Sequence, residues 1–264
     1  MNSEETGRQF IKVFWTGGFD STCRIAQLSR LDVTVQPYYL VDRKYRRSYP
    51  FELNAISEIL TEIEKHPETR FKIYPLIKVD VSDLKPNNEI SEAHRRIRKK
   101  IALGIQYEWL ATFALENPGI EISFEKEEGG HIYNFFKDHG VLRRVDDGPV
   151  SYLVFDDLNS DKDLLAIFGN LHFPLPIKEK TKFELIDEYR RLGFESLMLK
   201  TWFCHNPVNG EPCGVCNPCR IVIKDGLSFR LPANSLKRNQ IEMKNDTKLW
   251  FNIWKKCRWR LMGY

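Results

Sequence analysis

Short apolar runs alternate with amphipathic segments along the first half of the chain. The apolar run from Ile11 to Trp15 ends at two glycines and predicts a buried strand, and apolar residues at helical spacing then predict a helix over 21–30. The run from Val33 to Val41 predicts a second strand, and the spacing over 51–65 predicts a second helix. The chain therefore begins in the order strand, helix, strand, helix.

The same alternation continues along the chain. The pattern predicts a third strand over 71–79, a long helix over 89–115 that ends before Pro118 and Gly119, and a further strand over 120–124. Strands that are separated by helices pair in parallel through right-handed crossovers. We therefore expect an α/β fold with a doubly wound, mainly parallel sheet, which binds ligands at the carboxyl ends of its strands.

The second half of the chain has a less regular pattern. Residues 125–149 are charged and contain glycines, which fits either a lid or ordinary surface structure. The spacing of apolar residues predicts an amphipathic helix over 183–192, stopped at Gly193. A loop followed by a short helix is expected over 200–226.

Composition divides the chain into three expected parts, which are an α/β domain over 1–199, a cysteine module over 200–227 and a C-terminal tail over 228–264. The tail interleaves basic and aromatic residues and contains few acids. These residues are Lys237, Arg238, Lys244, Lys248, Trp250, Phe251, Trp254, Lys255, Lys256, Arg258, Trp259 and Arg260. Such a segment either packs on the body of the protein or contacts a partner.

Composition also argues against several classes of protein. The 264 residues are 42% hydrophobic and 12% aromatic, so the chain can bury a full core and disorder is not its main state. No apolar stretch is long enough to span a membrane, and the first residues lack the basic-then-apolar order of a signal peptide, so we expect a cytoplasmic protein. The formal net charge of +4 does not by itself indicate nucleic acid binding.

A glycine-containing motif follows the first predicted strand. It reads Thr16-Gly17-Gly18-Phe19-Asp20-Ser21-Thr22. Two glycines between a strand and a helix let the backbone present successive N–H groups to an anion, and the N-terminal end of the helix adds positive potential. Asp20 and Ser21 also stand where residues cap a helix, and that structural role is compatible with ligand binding.

Four of the six cysteines lie close together near the end of the chain, whereas Cys23 and Cys257 stand alone. The clustered cysteines are Cys204, Cys213, Cys216 and Cys219. Two thiolates with two residues between them bind one metal ion through a tight turn. Four sulfur ligands complete a closed, structural zinc site. An iron–sulfur cluster uses the same donors and stays an alternative. We expect His205 to lie beside the metal or to line a pocket, because its neighbour Cys204 already binds.

The glycine motif resembles the PP-loop of ATP pyrophosphatases, S-G-G-x-D-S-[ST], with Thr16 in place of the first serine. The resemblance implies that the protein uses ATP, usually with Mg²⁺, to adenylate a substrate oxygen. It implies that the loop backbone and hydroxyls hold the triphosphate and that Asp20 orients the loop or the Mg²⁺. The implied ATP-binding residues are Thr16, Gly17, Gly18, Phe19, Asp20, Ser21 and Thr22, and Asp20 and Ser21 are also implied as catalytic.

Two further segments resemble the QueC family of 7-cyano-7-deazaguanine synthases. The spacing C-x8-C-G-x-C-x2-C of residues 204–219 is similar to the zinc module of that family, and Lys180-Thr181-Lys182-Phe183-Glu184 is similar to its K-x-K-A-E segment. The family uses ATP to activate the carboxylate of 7-carboxy-7-deazaguanine, joins it to ammonia and dehydrates the amide to a nitrile. The resemblance implies Zn²⁺ in the cysteine module and a catalytic Lys182 that offsets charge on the departing pyrophosphate, with Lys180 as a second candidate and surface charge as the alternative for both.

Two segments depart from the QueC pattern. Residues 103–107 lack the arginine of the family's P-G-R-N, and residues 127–133 replace its D-x-S-G-Y-P-D-C-R substrate segment. These departures indicate a retained ATP chemistry with a remodelled substrate pocket. They suit a diverged branch associated with anti-phage defence, in which the activated deazaguanine carboxylate passes to an amine other than ammonia, such as a protein amine.

The leading hypothesis is an ATP-dependent carbon–nitrogen ligase that takes a 7-deazaguanine-type substrate, and we expect it to be a homodimer. A second hypothesis is a tRNA-modifying PP-loop enzyme, with the basic tail as the RNA contact and Cys23 as the one cysteine near the loop able to carry sulfur. In the leading hypothesis Cys23 is a residue of the helix core. A third is a degenerate nucleotide-binding scaffold that binds a protein through its tail.

Overall fold

The computed structural model describes residues 7–126 and 130–244 of the chain. It divides into two compact units. The larger unit takes in the described residues of Met1–Tyr45 and Phe51–Trp202, and the smaller unit takes in those of Arg46–Pro50 and Phe203–Tyr264. The sheet and its helices form the larger unit, and the four-cysteine module lies in the smaller one.

One mixed sheet runs through the larger unit. Its strands are β1 (Gln9–Phe14), β2 (Val33–Val41), β3 (Lys72–Ile73), β4 (Ile77–Asp80), β5 (Ile120–Glu121), β6 (Leu142–Asp147), β7 (Val150–Phe155) and β8 (Leu171–Pro174). Their order across the sheet is β3-β2-β1-β5-β8-β7-β6, and β4 extends the ladder of β3 along β2.

Helices connect the strands. They are α1 (Phe19–Leu28), α2 (Tyr49–Lys65), α3 (Asn88–Arg98), α4 (Gln106–Glu116), α5 (His131–His139), α6 (Lys162–Phe168), α7 (Leu175–Lys178), α8 (Lys182–Arg191) and α9 (Glu195–Lys200), followed in the smaller unit by α10 (Asn217–Lys224). Among the described residues, no helix combines the length and apolar character needed to cross a bilayer.

The order in which the chain adds strands to the sheet reverses at β1. From β1 the chain moves outward to β2 and then to β3 and β4, after which it returns to the other side of β1 as β5 and continues outward to β8. All of these pairings are parallel. Right-handed crossovers in opposite directions place helices on opposite faces, so the sheet is doubly wound. The predicted mainly parallel α/β fold is confirmed.

An antiparallel hairpin completes one edge of the sheet and was not predicted from the sequence. Strands β6 and β7 pair antiparallel around a turn that contains Gly148, whose φ is +55°, and β7 pairs antiparallel with β8. The outer strand β6 half-buries Leu142 and Val145, and its other residues are exposed charged side chains. Such charges protect an open sheet edge from pairing with other chains. The region expected to be a lid or surface structure thus holds α5 and this strand, while residues 127–129 lie outside the described part.

Three predicted elements were wrong in their extent. The strand expected over 120–124 has only two residues, Ile120 and Glu121. The single helix expected over 89–115 is two helices, because the chain leaves the α3 axis after Arg98 to bury Leu103 and resumes helical structure only after Gly104. The carbonyl of Gly104 lies 3.0 Å from Nε2 of His94, which holds the break against α3. The single strand expected over 71–79 is interrupted at Pro75, which has no N–H to donate to the ladder.

Aromatic packing dominates the core between the sheet and helices α3 to α6. The ring of Phe136 meets Phe155, Phe168 and Phe173 nearly edge to face, with centroid distances of 5.0, 4.8 and 5.6 Å. Each such pair stabilises the core by about 0.5–1.5 kcal/mol beyond its buried area. These contacts hold α5 against the carboxyl half of β7 and β8.

Polar bonds attach α1 to its neighbours. The guanidinium of Arg24 donates from Nε and Nη2 to the two carboxylate oxygens of Glu121 in β5, at 2.7 and 2.6 Å, and both side chains are 2% exposed. One turn further on, Gln27 Nε2 donates to Glu188 Oε1 of α8 at 3.0 Å. Helix α1 is therefore held both to the centre of the sheet and to the helix beside it.

We predict that replacing Arg24 with Met destabilises the protein by about 3–5 kcal/mol, because the Glu121 carboxylate then stays buried without its partner. The free energy of unfolding in urea measures this effect. The double variant Arg24→Met/Glu121→Met is expected to recover most of the loss. Arg144→Met is the matched control, because the Arg144–Asp146 pair is 59% and 66% exposed and contributes less than about 1 kcal/mol. A loss in Arg24→Met no larger than in the control contradicts the assignment.

Candidate active site and metal centre

The turn after β1 requires glycine at its first bend. Gly17 has a φ of +68°, and a Cβ there would lie 2.8 Å from the carbonyl oxygen of Glu52 and 3.2 Å from Ile56. Its own carbonyl accepts a hydrogen bond of 2.9 Å from the N–H of Trp202. The turn therefore presses directly against α2, and a side chain at Gly17 would both strain the backbone and push the turn outward.

The turn ends at the N-terminus of α1. The N-cap residue is Gly18, which has no side chain with which to accept bonds from the N–H groups of the first turn. Two hydroxyls lie at this helix end: Thr16 Oγ1 is 3.3 Å from Ser21 Oγ, and the backbone N–H of Gly18 points to Thr16 Oγ1 at 3.4 Å. Backbone N–H groups, two hydroxyls and the positive end of the helix dipole thus converge on one point, an arrangement suited to a phosphate group.

Two residues of the predicted loop hold the helix start in place. Trp15, which is completely buried, donates from its indole Nε1 to Thr22 Oγ1 at 3.1 Å. The hydroxyl of Tyr189 donates to the carbonyl oxygen of Phe19 at 2.6 Å, and the two rings pack with centroids 5.1 Å apart. These contacts direct the Thr22 hydroxyl and the Phe19 ring into the protein. Asp20 supplies the acidic residue of the first turn.

The lysines of the segment between α7 and α8 have different partners. Lys182 Nζ lies 2.7 Å from Glu125 Oε1, and the two side chains are 20% and 18% exposed. Lys180 Nζ lies 2.8 Å from Glu188 Oε2. A hydrogen bond of 2.8 Å from Lys126 N–H to the Lys180 carbonyl joins the chain after β5 to this segment. Lys182 is thus attached to the carboxyl end of β5, beside β1, whereas Lys180 belongs to the network around α1.

The carboxylate of Glu188 has a strongly lowered pKa. Burial opposes its ionisation, but hydrogen bonds from Arg191, Lys180 and Gln27 outweigh the burial and lower the pKa to about 2. Glu188 is therefore a fixed negative charge at neutral pH that anchors α8 to α1.

Cys23 is part of the packing of α1. It is fully buried, and burial, followed by the charge of Glu188, raises the pKa of its thiol. A thiol with a raised pKa stays protonated and is a poor nucleophile. The position is that of a core residue.

Lys178 was not among the site residues predicted from the sequence. This residue ends α7 directly after β8, is 9% exposed, and has the rings of Phe124, Tyr133 and Phe136 around its ammonium group. The one feature of the sequence that could have indicated this residue is its charge, which comes at the end of the largely apolar stretch 171–178. Spacing along the chain does not reveal the aromatic residues around it, because they come from other elements.

In the smaller unit the four clustered cysteines converge. The Sγ atoms of Cys204, Cys213, Cys216 and Cys219 all lie within 4.8 Å of one another. Three of their separations are 3.4, 3.9 and 3.9 Å. Four sulfurs at 2.3 Å from one tetrahedral zinc are separated by about 3.8 Å, so the cluster fits that ion. His205 is exposed and does not join the ligand group.

Backbone N–H groups point to two of the four sulfurs. The N–H of Cys213 points to Cys204 Sγ at 3.1 Å, and the N–H groups of Val215 and Cys216 point to Cys213 Sγ at 3.4 and 3.2 Å. Such bonds favour the charged form of sulfur that binds metal. The turn that provides them has Gly214 at its bend, with a φ of +82°.

A helix over 233–244 covers this turn. Arg238 donates to the carbonyl oxygens of Cys213 and Pro212 at 2.8 and 2.9 Å, and Asn239 Nδ2 donates to the carbonyl of Gly214 at 2.9 Å. The first part of the predicted tail therefore packs on the cysteine module. Its remaining predicted residues, Lys248, Trp250, Phe251, Trp254, Lys255, Lys256, Arg258, Trp259 and Arg260, lie outside the described residues.

Comparisons with known proteins give matches among solved structures only. No family model matches the chain, and no curated protein matches it. Among solved structures, 16 chains match. One is the NMN synthetase from Francisella tularensis, which is 10% identical in sequence and has a TM-score of 0.35. The match covers 90% of this chain and 84% of the synthetase chain. At that distance the likeness carries no argument about function.

We predict that purified protein contains about one zinc ion per chain and that Gly214→Ala loses most of it, because the added Cβ would lie 2.0 Å from the carbonyl oxygen of Ser235. Gly210→Ala is the matched control, since Gly210 has a φ of +81° but no atom within 4 Å of the added Cβ. In the control, only the backbone strain of about 1–3 kcal/mol lowers the stability. Metal analysis after gel filtration measures the zinc, and visible absorbance reveals an iron–sulfur cluster. Full zinc occupancy in Gly214→Ala contradicts the prediction.

Proposed function

We propose that this protein is an ATP-dependent ligase that adenylates the carboxylate of 7-carboxy-7-deazaguanine, or a close analogue, and transfers the acyl group to an amine. The observation that carries the proposal is the strand–glycine turn–helix at β1 and α1, located where the sheet reverses direction between β1 and β5. A doubly wound sheet binds its ligands at this place, outside the carboxyl ends of the strands. The sequence of the turn, T-G-G-x-D-S-T, resembles that of a PP-loop.

The loop geometry suits the triphosphate of ATP. The backbone at Gly17 and Gly18 and the hydroxyls of Thr16 and Ser21 offer donors around one helix N-terminus, where a phosphate is stabilised without a lysine in the loop. Asp20, in the first turn, is the candidate ligand or orienting residue for Mg²⁺. The loop therefore supplies the binding groups for the nucleotide. The carboxylate substrate must then bind beside the loop, at the carboxyl ends of the neighbouring strands.

ATP supplies the activation that a carboxylate lacks. A carboxylate is a poor electrophile, and converting one of its oxygens to an AMP ester creates a good leaving group that a neutral amine displaces. Charge develops on the departing pyrophosphate, and fixed cations lower the cost of that charge. Lys182, held by Glu125 at the carboxyl end of β5, is the candidate for this role.

The acceptor amine separates two forms of the proposal. With ammonia as the acceptor the product is an amide, which a second activation dehydrates to the nitrile. With a protein amine as the acceptor the product is a conjugate, as expected for a branch associated with anti-phage defence. The competing tRNA-modifying hypothesis needs a reactive sulfur near the loop, and the buried thiol of Cys23, with its raised pKa, is unsuited to that task.

One reaction tests the proposal. Purified protein, ATP, Mg²⁺ and 7-carboxy-7-deazaguanine are incubated with and without ammonia, and AMP, ADP and the mass of the deazaguanine are followed. Acid-dependent AMP with a nitrile product supports the synthase form. Acid-dependent AMP without a nitrile supports the form with another amine as the acceptor. No acid-dependent nucleotide turnover contradicts the proposal.

We predict that Ser21→Ala and Asp20→Ala each lower acid-dependent AMP formation by at least about 100-fold, because the first removes a hydroxyl donor for the phosphates and the second removes the candidate carboxylate that orients the loop or the Mg²⁺. Ser57→Ala, on the exposed face of α2, is the matched control and keeps the parent rate. The melting temperatures of all three variants are compared with that of the parent to show that the fold is intact. Parent turnover in either loop variant contradicts the assignment of the loop.

A further inference from the structure

Lys178 holds a cation inside an aromatic pocket. Its Nζ lies 5.1 Å from the ring centre of Phe136 and 5.8 Å from the ring centres of Phe124 and Tyr133. The side chain is 9% exposed, whereas Phe124 and Tyr133 are only half-buried. The faces of aromatic rings attract a cation electrostatically, so the rings offset part of the cost of burying the ammonium group without neutralising it.

This pocket lies at the ligand-binding edge of the sheet. Lys178 ends the helix that follows β8, Phe124 lies shortly after β5, and the glycine turn follows β1. These three strands are neighbours and run in parallel, so their carboxyl ends meet at one edge. Strands β1 and β8 are separated by two strand spacings, about 10 Å, which is the size of a small bicyclic molecule.

The ammonium of Lys178 has no carboxylate partner among the residues that the structure describes. Burial alone lowers the pKa of this lysine to about 8. A buried cation without an anion is costly to a fold. That cost is offset when a ligand brings the missing anion into the pocket.

We propose that Lys178 is the positioning residue for the acid group of the substrate, and that the pocket selects an organic carboxylate with a flat, apolar or aromatic body. The inference rests on the proposed function, because it assigns the acid that the loop-bound ATP would activate. Lys178 pairs with the carboxylate, and the half-buried rings of Phe124 and Tyr133 pack against the body of the acid.

The surroundings favour a carboxylate over a phosphate. A phosphate needs several donors, which the turn after β1 provides, whereas Lys178 is a single cation between apolar rings. The same arrangement discriminates the acid from its amide. An amide carries no charge, so its oxygen accepts only a weaker hydrogen bond from the ammonium, and we expect the amide to bind more weakly than the acid without being excluded.

The test compares the parent with Lys178→Met and with Lys178→Arg, which keeps the charge. Lys137→Met, an exposed lysine of the helix that carries Tyr133 and Phe136, is the matched control. The Kd of 7-carboxy-7-deazaguanine is measured by calorimetry without ATP, and its KM is measured by AMP formation. We expect Lys178→Met to raise both values about 10- to 100-fold, the usual effect of losing a bond to a charged group, while the KM of ATP changes less than about twofold.

Lys178→Arg is expected to retain most of the affinity, and the control to bind the acid like the parent. Lys178→Met is expected to melt at or above the temperature of the parent, because it removes a buried charge. A pH series adds a signature that a packing role does not have. The Kd of the parent rises as the pH passes about 8 and the lysine loses its charge. The Kd of Lys178→Met stays level, and that of Tyr133→Phe keeps the inflection, which excludes the phenol as its origin.

Each result has one meaning. Parent-like acid binding by Lys178→Met overturns the inference, and so does a raised KM for ATP with an unchanged KM for the acid. If the acid yields AMP equally in the parent and Lys178→Met, the proposed function stands and the inference fails. If the parent binds the acid through Lys178 but forms no AMP, Lys178 is an acid-binding residue, and the proposed adenylation, with the role of the acid as its substrate, fails. If the parent does not bind the acid, both fail.

Discussion

The buried ion pair between Arg24 and Glu121 determines how the larger unit is built. It joins α1 to β5 with two hydrogen bonds of 2.7 and 2.6 Å, in a place that excludes water. Two desolvated charges contribute little net stability, but they tolerate only one geometry, since either charge alone in that place is costly. Helix α1 therefore keeps one rotation and one height relative to the sheet. The position of the N-terminus of α1, where we propose that the phosphates bind, follows from that constraint.

Other contacts of α1 also fix its position. Gln27 binds Glu188, whose charge is also held by Lys180 and Arg191, and Tyr189 binds the backbone at the first residue of the helix. A site that stabilises charge works through dipoles and donors that are fixed before the ligand arrives, since they cost no reorganisation. The fold thus uses its buried polar groups to hold the loop.

Much of the fold and part of the candidate site were predictable because they depend on local patterns. The run Val33–Val41 is a strand with the predicted bounds, and the glycine motif follows β1 and opens α1 as expected. The interruption at Leu103 and Gly104 was missed because the apolar spacing continues through it, although the chain must leave the helix axis there to bury Leu103. The β6–β7 hairpin was missed because only two of the six residues of β6 are apolar, too few to produce a strand pattern.

The sequence by itself determined the alternation that builds a parallel sheet, the glycine turn that can meet a phosphate, and four cysteines spaced for one metal. In each case the information lies within a few residues, where backbone freedom and ligand spacing are local properties. The tertiary structure alone decided which lysine meets which partner. Lys180 faces Glu188, Lys182 faces Glu125, and Lys178 enters an aromatic pocket, although all three belong to one short segment. The reason is physical: the charge and reactivity of a lysine depend on burial and on groups brought from distant parts of the chain, and no spacing along the sequence encodes them.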